Sequence, residues 1–115
     1  MIIRACQTCK MVKETTEFSK NGYNCKVCEK NLQLIRNYNI NIAEWLNLRQ
    51  AQNYKCYICG VSEEELGRPL FVDHCHGTGK VRGMLCSRCN SGLGFFKDNV
   101  NWLVKSVEYL EKYRK

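Results

Sequence analysis

The apolar positions of this chain fall into short runs separated by polar turns, and their spacing predicts a series of small elements. From about Glu29 to Arg36 the pattern is helical, and Asn37-Tyr38-Asn39 breaks it. Asn41 is placed to cap a second helix, with Glu44 three residues on as the reciprocal partner of a capping box. Ile42, Trp45 and Leu46 put an apolar stripe on one face of that helix, which should run to about Gln52. Glu63-Glu64-Glu65 reads as an acidic loop or helical turn on a solvated surface. Pro69 precedes a short strand at Leu70-Phe71-Val72, Gly77-Thr78-Gly79 is a turn, and Val81 to Leu85 is the returning strand of a hairpin. A short helix should start near Asn90, where Gly92 and Gly94 suit close packing against the hairpin. Asp98 or Asn99 can cap a last helix with Leu103, Val107 and Leu110 along one face.

The first thirty residues carry little of this patterning. Between their paired cysteines, large apolar residues are few beyond Val12, Phe18 and Tyr23, too little for a core. A chain of 115 residues buries only a modest share of its surface, and small scaffolds need staples. Cysteine supplies them. Four Cys-x-x-Cys pairs occur, at Cys6/Cys9, Cys25/Cys28, Cys56/Cys59 and Cys86/Cys89. One such pair fits a redox motif; four point to metal. Fifteen residues separate Cys9 from Cys25, a two-knuckle zinc spacing. Three pairings of the four knuckles are open, and the loop lengths favour sequential ones. Met1-Ile2-Ile3-Arg4 lacks the basic-then-apolar order of a signal peptide. No apolar run is long enough to span a membrane. The setting expected is therefore cytoplasmic and reducing, where paired cysteines bind metal rather than form disulfides.

Lysine and arginine outnumber acids 18 to 11, for a formal charge of +7. Two four-thiolate zinc sites, each of net charge −2, would bring it to about +3. The sign favours a polyanionic partner.

Asp73-His74-Cys75-His76 lies between the third and fourth knuckles, and Asn90 follows the last cysteine. A zinc shared by those knuckles would clamp both ends of the hairpin and set Asn90 beside the strand end with Asp73 and His74. Such a closed site holds geometry and does no chemistry. Asp73 and Asn90 instead offer oxygen ligands, which suit magnesium or manganese. A neutral His74 can take a proton from water. In a fully extended strand, however, His74 points away from Asp73; a distorted strand end would let both border one site. His76 has several roles open to it: binding a phosphate oxygen, ligating the metal, orienting His74, or a structural one. Cys75, the odd cysteine, is expected to be a small buried filler on the alternate strand face.

The run Asp73-His74-Cys75-His76-Gly77-Thr78-Gly79-Lys80-Val81-Arg82-Gly83-Met84-Leu85-Cys86-Ser87-Arg88-Cys89-Asn90-Ser91-Gly92-Leu93-Gly94 resembles the core of the phage recombination endonuclease VII family, a branch of the HNH or ββα-metal nucleases. The resemblance reaches upstream through Trp45 and Cys56/Cys59 and downstream through Asp98 and Tyr109-Leu110. It implies a small zinc-stabilised α+β fold. A ββα-metal (HNH, treble-clef-like) nuclease domain at 31–115 would follow a four-cysteine zinc module at 1–30, with helices between. It also implies a metal-dependent DNA endonuclease that hydrolyses phosphodiesters to 5′-phosphate and 3′-hydroxyl ends, acting in the bacterial host if phage-encoded. Asp73 and Asn90 would ligate the catalytic magnesium or manganese, His74 would be the general base, and His76 would assist at the scissile phosphate. Cys6, Cys9, Cys25 and Cys28 would hold one structural zinc, and Cys56, Cys59, Cys86 and Cys89 the other. Lys80, Arg82, Arg88 and Lys97 lie near the motif and would hold flanking DNA phosphates. Some members resolve branched junctions as homodimers. Junction-resolving members can carry an acidic residue three positions after the metal-binding Asn, where this chain has Leu93. A non-catalytic zinc module binding nucleic acid or protein would share the cysteines and the charge, but leaves Asp73, His74 and Asn90 unexplained.

Overall fold

The computed structural model describes residues 2–20 and 22–114. The chain divides into two compact units, residues 1–48 and 49–115.

In the first unit, β1 (Ile3–Ala5) and β2 (Val12–Glu14) pair antiparallel, with Ile3 opposite Glu14 and Ala5 opposite Val12. The first knuckle is the turn between them, closed by the Cys6 amide on Met11 O at 2.9 Å. The hydrophobic pattern does not predict these strands, because each is three residues long and mostly exposed. A 3-10 turn (Thr15–Glu17) follows, then α1 (Lys26–Tyr38). This helix is longer at both ends than its apolar pattern. Cys25, extended in φ and ψ, starts it, and Asn39, left-handed with φ 58°, stops it. The core here is Cys6, Phe18 and Cys25, with Cys28 packed against them.

The expected capping box is present: Glu44 N donates to Asn41 Oδ1 at 2.8 Å, and Asn41 N donates to Glu44 Oε1 at 3.1 Å. It starts α2 (Ile42–Ala51), which runs across the division between the units. The expected stripe is only partly buried. Trp45 is buried under Lys30, whose Nζ lies 4.6 Å from the ring centroid, but Leu46 is exposed.

The second unit holds a single-turn helix, α3 (Glu63–Leu66), a hairpin of β3 (Phe71–His74) and β4 (Val81–Leu85), and the helices α4 (Ser87–Phe95) and α5 (Val100–Lys112). The acidic run is more structural than a solvated surface. Ser62 and Glu65 form a second capping box. Glu63 receives Arg49 Nη2 at 2.6 Å and the Leu70 amide at 2.9 Å. The pairing draws the Glu63 carboxyl below its ordinary value although burial pushes it up. The helix expected near Asn90 begins at Ser87, with Cys86 as its N-cap. It packs on both strands of the hairpin, giving a ββα unit. Asn99 caps α5, accepting from Trp102 N at 3.0 Å. Of the apolar stripe of α5, Leu103 is half-buried, while Val107 and Leu110 are exposed. No helix among the described residues is long and apolar enough to cross a membrane.

Leu70, Val72, Met84 and Leu85 are buried about the hairpin. The outward backbone of Met84 would be left without a strand partner there. Gln52 supplies one: its Oε1 accepts from Met84 N at 2.9 Å, and its Nε2 donates to Met84 O and Lys55 O, each at 2.9 Å. One side-chain amide thus stands in for a third strand. Gly83 makes room for it, since a Cβ there would sit 3.0 Å from Gln52 Oε1. Gln52→Ala should therefore cost roughly 1–3 kcal/mol, the penalty for orphaning the Met84 amide, since the Met84 carbonyl keeps the Tyr57 amide. Thermal unfolding of the metal-loaded protein checks this, and an unchanged Tm would remove Gln52 from the account.

Candidate active site

Each unit holds one thiol cluster. Cys6, Cys9, Cys25 and Cys28 form one and Cys56, Cys59, Cys86 and Cys89 the other, and within each the ligand atoms lie within 4.8 Å of one another. The knuckles therefore pair in sequence order. A tetrahedral zinc with bonds of about 2.3 Å needs sulfurs about 3.8 Å apart. Cys59 Sγ and Cys86 Sγ are 3.7 Å apart, which fits.

Backbone amides prepare the thiolates. Cys6 Sγ accepts from Cys25 N at 3.3 Å and Cys9 N at 3.5 Å. Burial works against that thiolate, yet these amides and Thr8 draw its pKa to about 6. Cys28 in the same cluster is pushed up to about 12 by burial and by the neighbouring thiols. The second cluster repeats this. Cys56 is drawn to about 6 against burial by the amides of Cys59, Cys86 and Ile58, while burial and its neighbours push Cys89 to about 12. Four thiolates so close repel one another, and a cation lets all four ionise together. Both clusters thus have the donor set and spacing of closed structural zinc sites.

The second cluster holds the hairpin at its base, and the hairpin is irregular at its far end. β3 and β4 pair as Phe71–Leu85, Val72–Met84 and Asp73–Gly83, then slip to His74–Val81. Arg82 is the extra residue of a bulge. Bulges re-aim side chains, and here the break in register falls between Asp73 and His74. Arg82 turns onto Asp73, donating from Nε to Oδ2 at 2.7 Å and from Nη2 to Oδ1 at 2.9 Å. Asp73 is 7% exposed, the one buried charged residue among those described. His74 and His76 stand two positions apart, and their rings are tilted at 52° with centroids 5.1 Å apart. His76 Nδ1 faces Asp98 Oδ2 at 3.1 Å. Arg82 Nη2 also comes within 3.5 Å of that oxygen. Asp98 is held ionised below its ordinary pKa by its hydrogen bond to His76 and, against some desolvation, by Arg82.

Asn90 is the fourth residue of α4, half-buried, and is not the helix cap. Its amide oxygen and the Asp73 carboxylate are hard donors suited to magnesium or manganese. Any such ion would use the same Asp73 oxygens that Arg82 holds. Beside Asp73 and Arg82 opens a pocket of about 270 Å³ lined also by Tyr57, Ile58, Met84 and Leu93. Lys80, Arg88 and Lys97 are exposed around the hairpin and α4, whereas Arg82 is committed to two carboxylates. Cys75 is half-buried rather than a buried filler, and hydrogen bonds from the Thr78 side chain and backbone draw its thiol pKa down.

Sequence reasoning offered Asp98 chiefly as a helix cap. Asn99 next to it does that job, which frees the Asp98 carboxylate for His76 and Arg82.

Residues 31–112 match the family model described as recombination endonuclease VII. The chain is 37% identical over 81 residues to the Gene 59 protein of Mycobacterium phage D29, covering 70% of this chain and 48% of that protein. It is 37% identical over 79 residues to the Gene 59 protein of Mycobacterium phage L5, covering 68% and 48%. The chain thus spans about half the length of these curated relatives. It is also similar to the crystal structure of the beta-beta-alpha-Me type II restriction endonuclease Hpy99I, at 31% identity and a TM-score of 0.49, covering 97% of this chain and 66% of that one.

Elemental analysis of the purified protein should find two zinc ions per chain. Cys89→Ser should lower zinc content and Tm together, because metal binding here is folding energy. A Cys89→Ser protein with full zinc and unchanged Tm would contradict the assignment.

Proposed function

The chain belongs to the recombination endonuclease VII family, and on that footing we propose that it is a metal-dependent DNA endonuclease that hydrolyses phosphodiester bonds. The observation that carries this reading is the bulged strand end. There Asp73 is buried and paired with Arg82, the rings of His74 and His76 lie 5.1 Å apart, and the hairpin packs on α4, which carries Asn90.

Asp73 and Asn90 would hold a magnesium or manganese ion, which when bound supplies positive charge to the phosphate and the departing 3′ oxygen. His74 accepts a proton from the attacking water. A neutral imidazole does this well because its ordinary pKa, about 6.5, is close to working pH. His76, further out on the same side, faces the scissile phosphate. Lys80, Arg88 and Lys97 hold flanking phosphates and set the register without reading sequence. Arg82 contributes positive charge from within the site. The products are 5′-phosphate and 3′-hydroxyl ends, and the work is done on DNA in the bacterial host. A homodimer is the arrangement that would place two such sites on the two strands.

One observation favours a rival reading, a non-catalytic zinc module that binds nucleic acid. Arg82 already neutralises Asp73, as in a structural ion pair. That reading leaves two histidines at one strand end without a purpose.

Variants separate the two. His74→Ala should lower magnesium-dependent cleavage by about 100-fold or more, the usual contribution of a general base, and leave DNA affinity and zinc content unchanged. Asn90→Ala should likewise keep zinc and Tm while losing cleavage. Wild-type rates in His74→Ala would remove it as the base. An Asn90→Ala protein that unfolds but cuts normally per folded molecule would make Asn90 structural.

A further inference from the structure

We propose that Asp98 is a positioning residue of this site, fixing His76 by its Nδ1 so that Nε2 is the atom presented to substrate phosphate. The inference rests on the nuclease reading above and adds to it a residue from outside the ββα unit.

Three observations carry it. The first is the contact itself. Asp98 Oδ2 lies 3.1 Å from His76 Nδ1. An ionised carboxylate only accepts, so Nδ1 carries a proton toward Asp98 whether His76 is neutral or protonated, and Nε2 donates to a phosphate oxygen when it too carries a proton. The His76 side chain is otherwise open, 71% exposed, and its contacts are with Asp98 and the neighbouring His74 ring. The second observation is the backbone. Lys97 and Asp98 both have φ of 54°, left-handed values that non-glycine residues rarely adopt. The turn is closed by Asp98 N on Leu93 O at 2.9 Å and Asn99 N on Phe96 O at 2.9 Å. It carries the chain from α4 to α5 with the Asp98 side chain directed at the hairpin. Capping of α5 falls to Asn99, so helix formation does not need Asp98. The third observation is shared use. The same Oδ2 comes within 3.5 Å of Arg82 Nη2, the nitrogen that also holds Asp73 Oδ1 at 2.9 Å. Asp98 therefore ties His76 and Arg82 to one point, and through the tilted His74–His76 contact it limits the space open to His74.

The test reads structure and rate separately. Asp98→Gly removes the carboxylate at a backbone conformation glycine adopts freely. Asp98→Asn keeps an oxygen that can accept from Nδ1 and a residue tolerant of left-handed φ. Nitrogen-15 NMR of the zinc-loaded protein, without DNA or magnesium, at about pH 8.5 where histidine is ordinarily neutral, reports which His76 nitrogen is protonated. The wild type should show the Nδ1–H form. Asp98→Gly should move to the Nε2–H form that unconstrained histidine prefers, and Asp98→Asn should stay nearer the wild type. In single-turnover cleavage, Asp98→Gly should be slower by roughly 10–100-fold, as for other residues that orient a functional group. Its DNA affinity in chelator should change by less than about threefold, and Asp98→Asn should recover part of the rate. A wild-type protein that cuts, with an Asp98→Gly variant of unchanged tautomer and rate, overturns the assignment of Asp98. A wild-type protein that cuts no DNA yet shows the Asp98-dependent tautomer overturns the nuclease reading and leaves the hold of Asp98 on His76 standing.

Discussion

The closure of one hairpin by four thiols is the constraint on which the C-terminal unit depends. Cys56 and Cys59 come from a turn before the strands, and Cys86 and Cys89 from the start of the helix after them. Among the described residues, Leu70, Val72, Met84 and Leu85 are the only apolar residues besides Cys56 and Cys86 that are buried there. So small a core cannot hold two strands and a helix in register unaided. A metal that gathers the cluster fixes the base of the hairpin and the first turn of α4 together. Cys86 is both thiol ligand and helix N-cap, so pinning it also sets where α4 begins. Asn90, one turn on, is then carried to the hairpin by the helix geometry.

With its base fixed, the hairpin can tolerate disorder of pattern at its tip. A bulge inserts Arg82, and Arg82 neutralises the buried Asp73. A buried carboxylate without a partner would be costly, and the arginine supplies that partner. The edge of β4 is satisfied by Gln52 instead of a third strand, and Gly83, opposite Asp73, leaves the room for it. Stability and site geometry therefore meet within Asp73, Arg82, Gly83 and Met84.

Much of this was legible in the residues, for physical reasons. Cysteine spacing predicts two four-sulfur clusters, because such a site needs two short knuckles, and the loop lengths favour the sequential pairing that the fold adopts. Alternation and turn chemistry place the hairpin, and the Asn41 capping box is present as its sequence pattern predicts. What stayed hidden depends on tertiary contact. Three-residue exposed strands leave no periodic trace. Glu63 looks like surface charge until Arg49 and the Leu70 amide are brought to it, although Ser62 and Glu65 already carried the capping signal for that turn. The sequence pattern puts the start of α4 three residues late because the cap is a cysteine, a residue without the usual side-chain oxygen. Asp98 was one of two adjacent candidates to cap α5, and only the fold shows that Asn99 takes the role and leaves the carboxylate to the histidine.

The central claim is that a thiol-pinned hairpin carries a hydrolytic metal site. The most direct measurement incubates the zinc-loaded wild-type protein with supercoiled plasmid, with added magnesium or with none, and then offers the products to DNA ligase. The account predicts nicking or cutting that requires magnesium and yields ends that ligase reseals, as 5′-phosphate and 3′-hydroxyl termini allow. Plasmid left intact by folded, zinc-loaded protein at any magnesium concentration, or cleavage indifferent to magnesium, would contradict it.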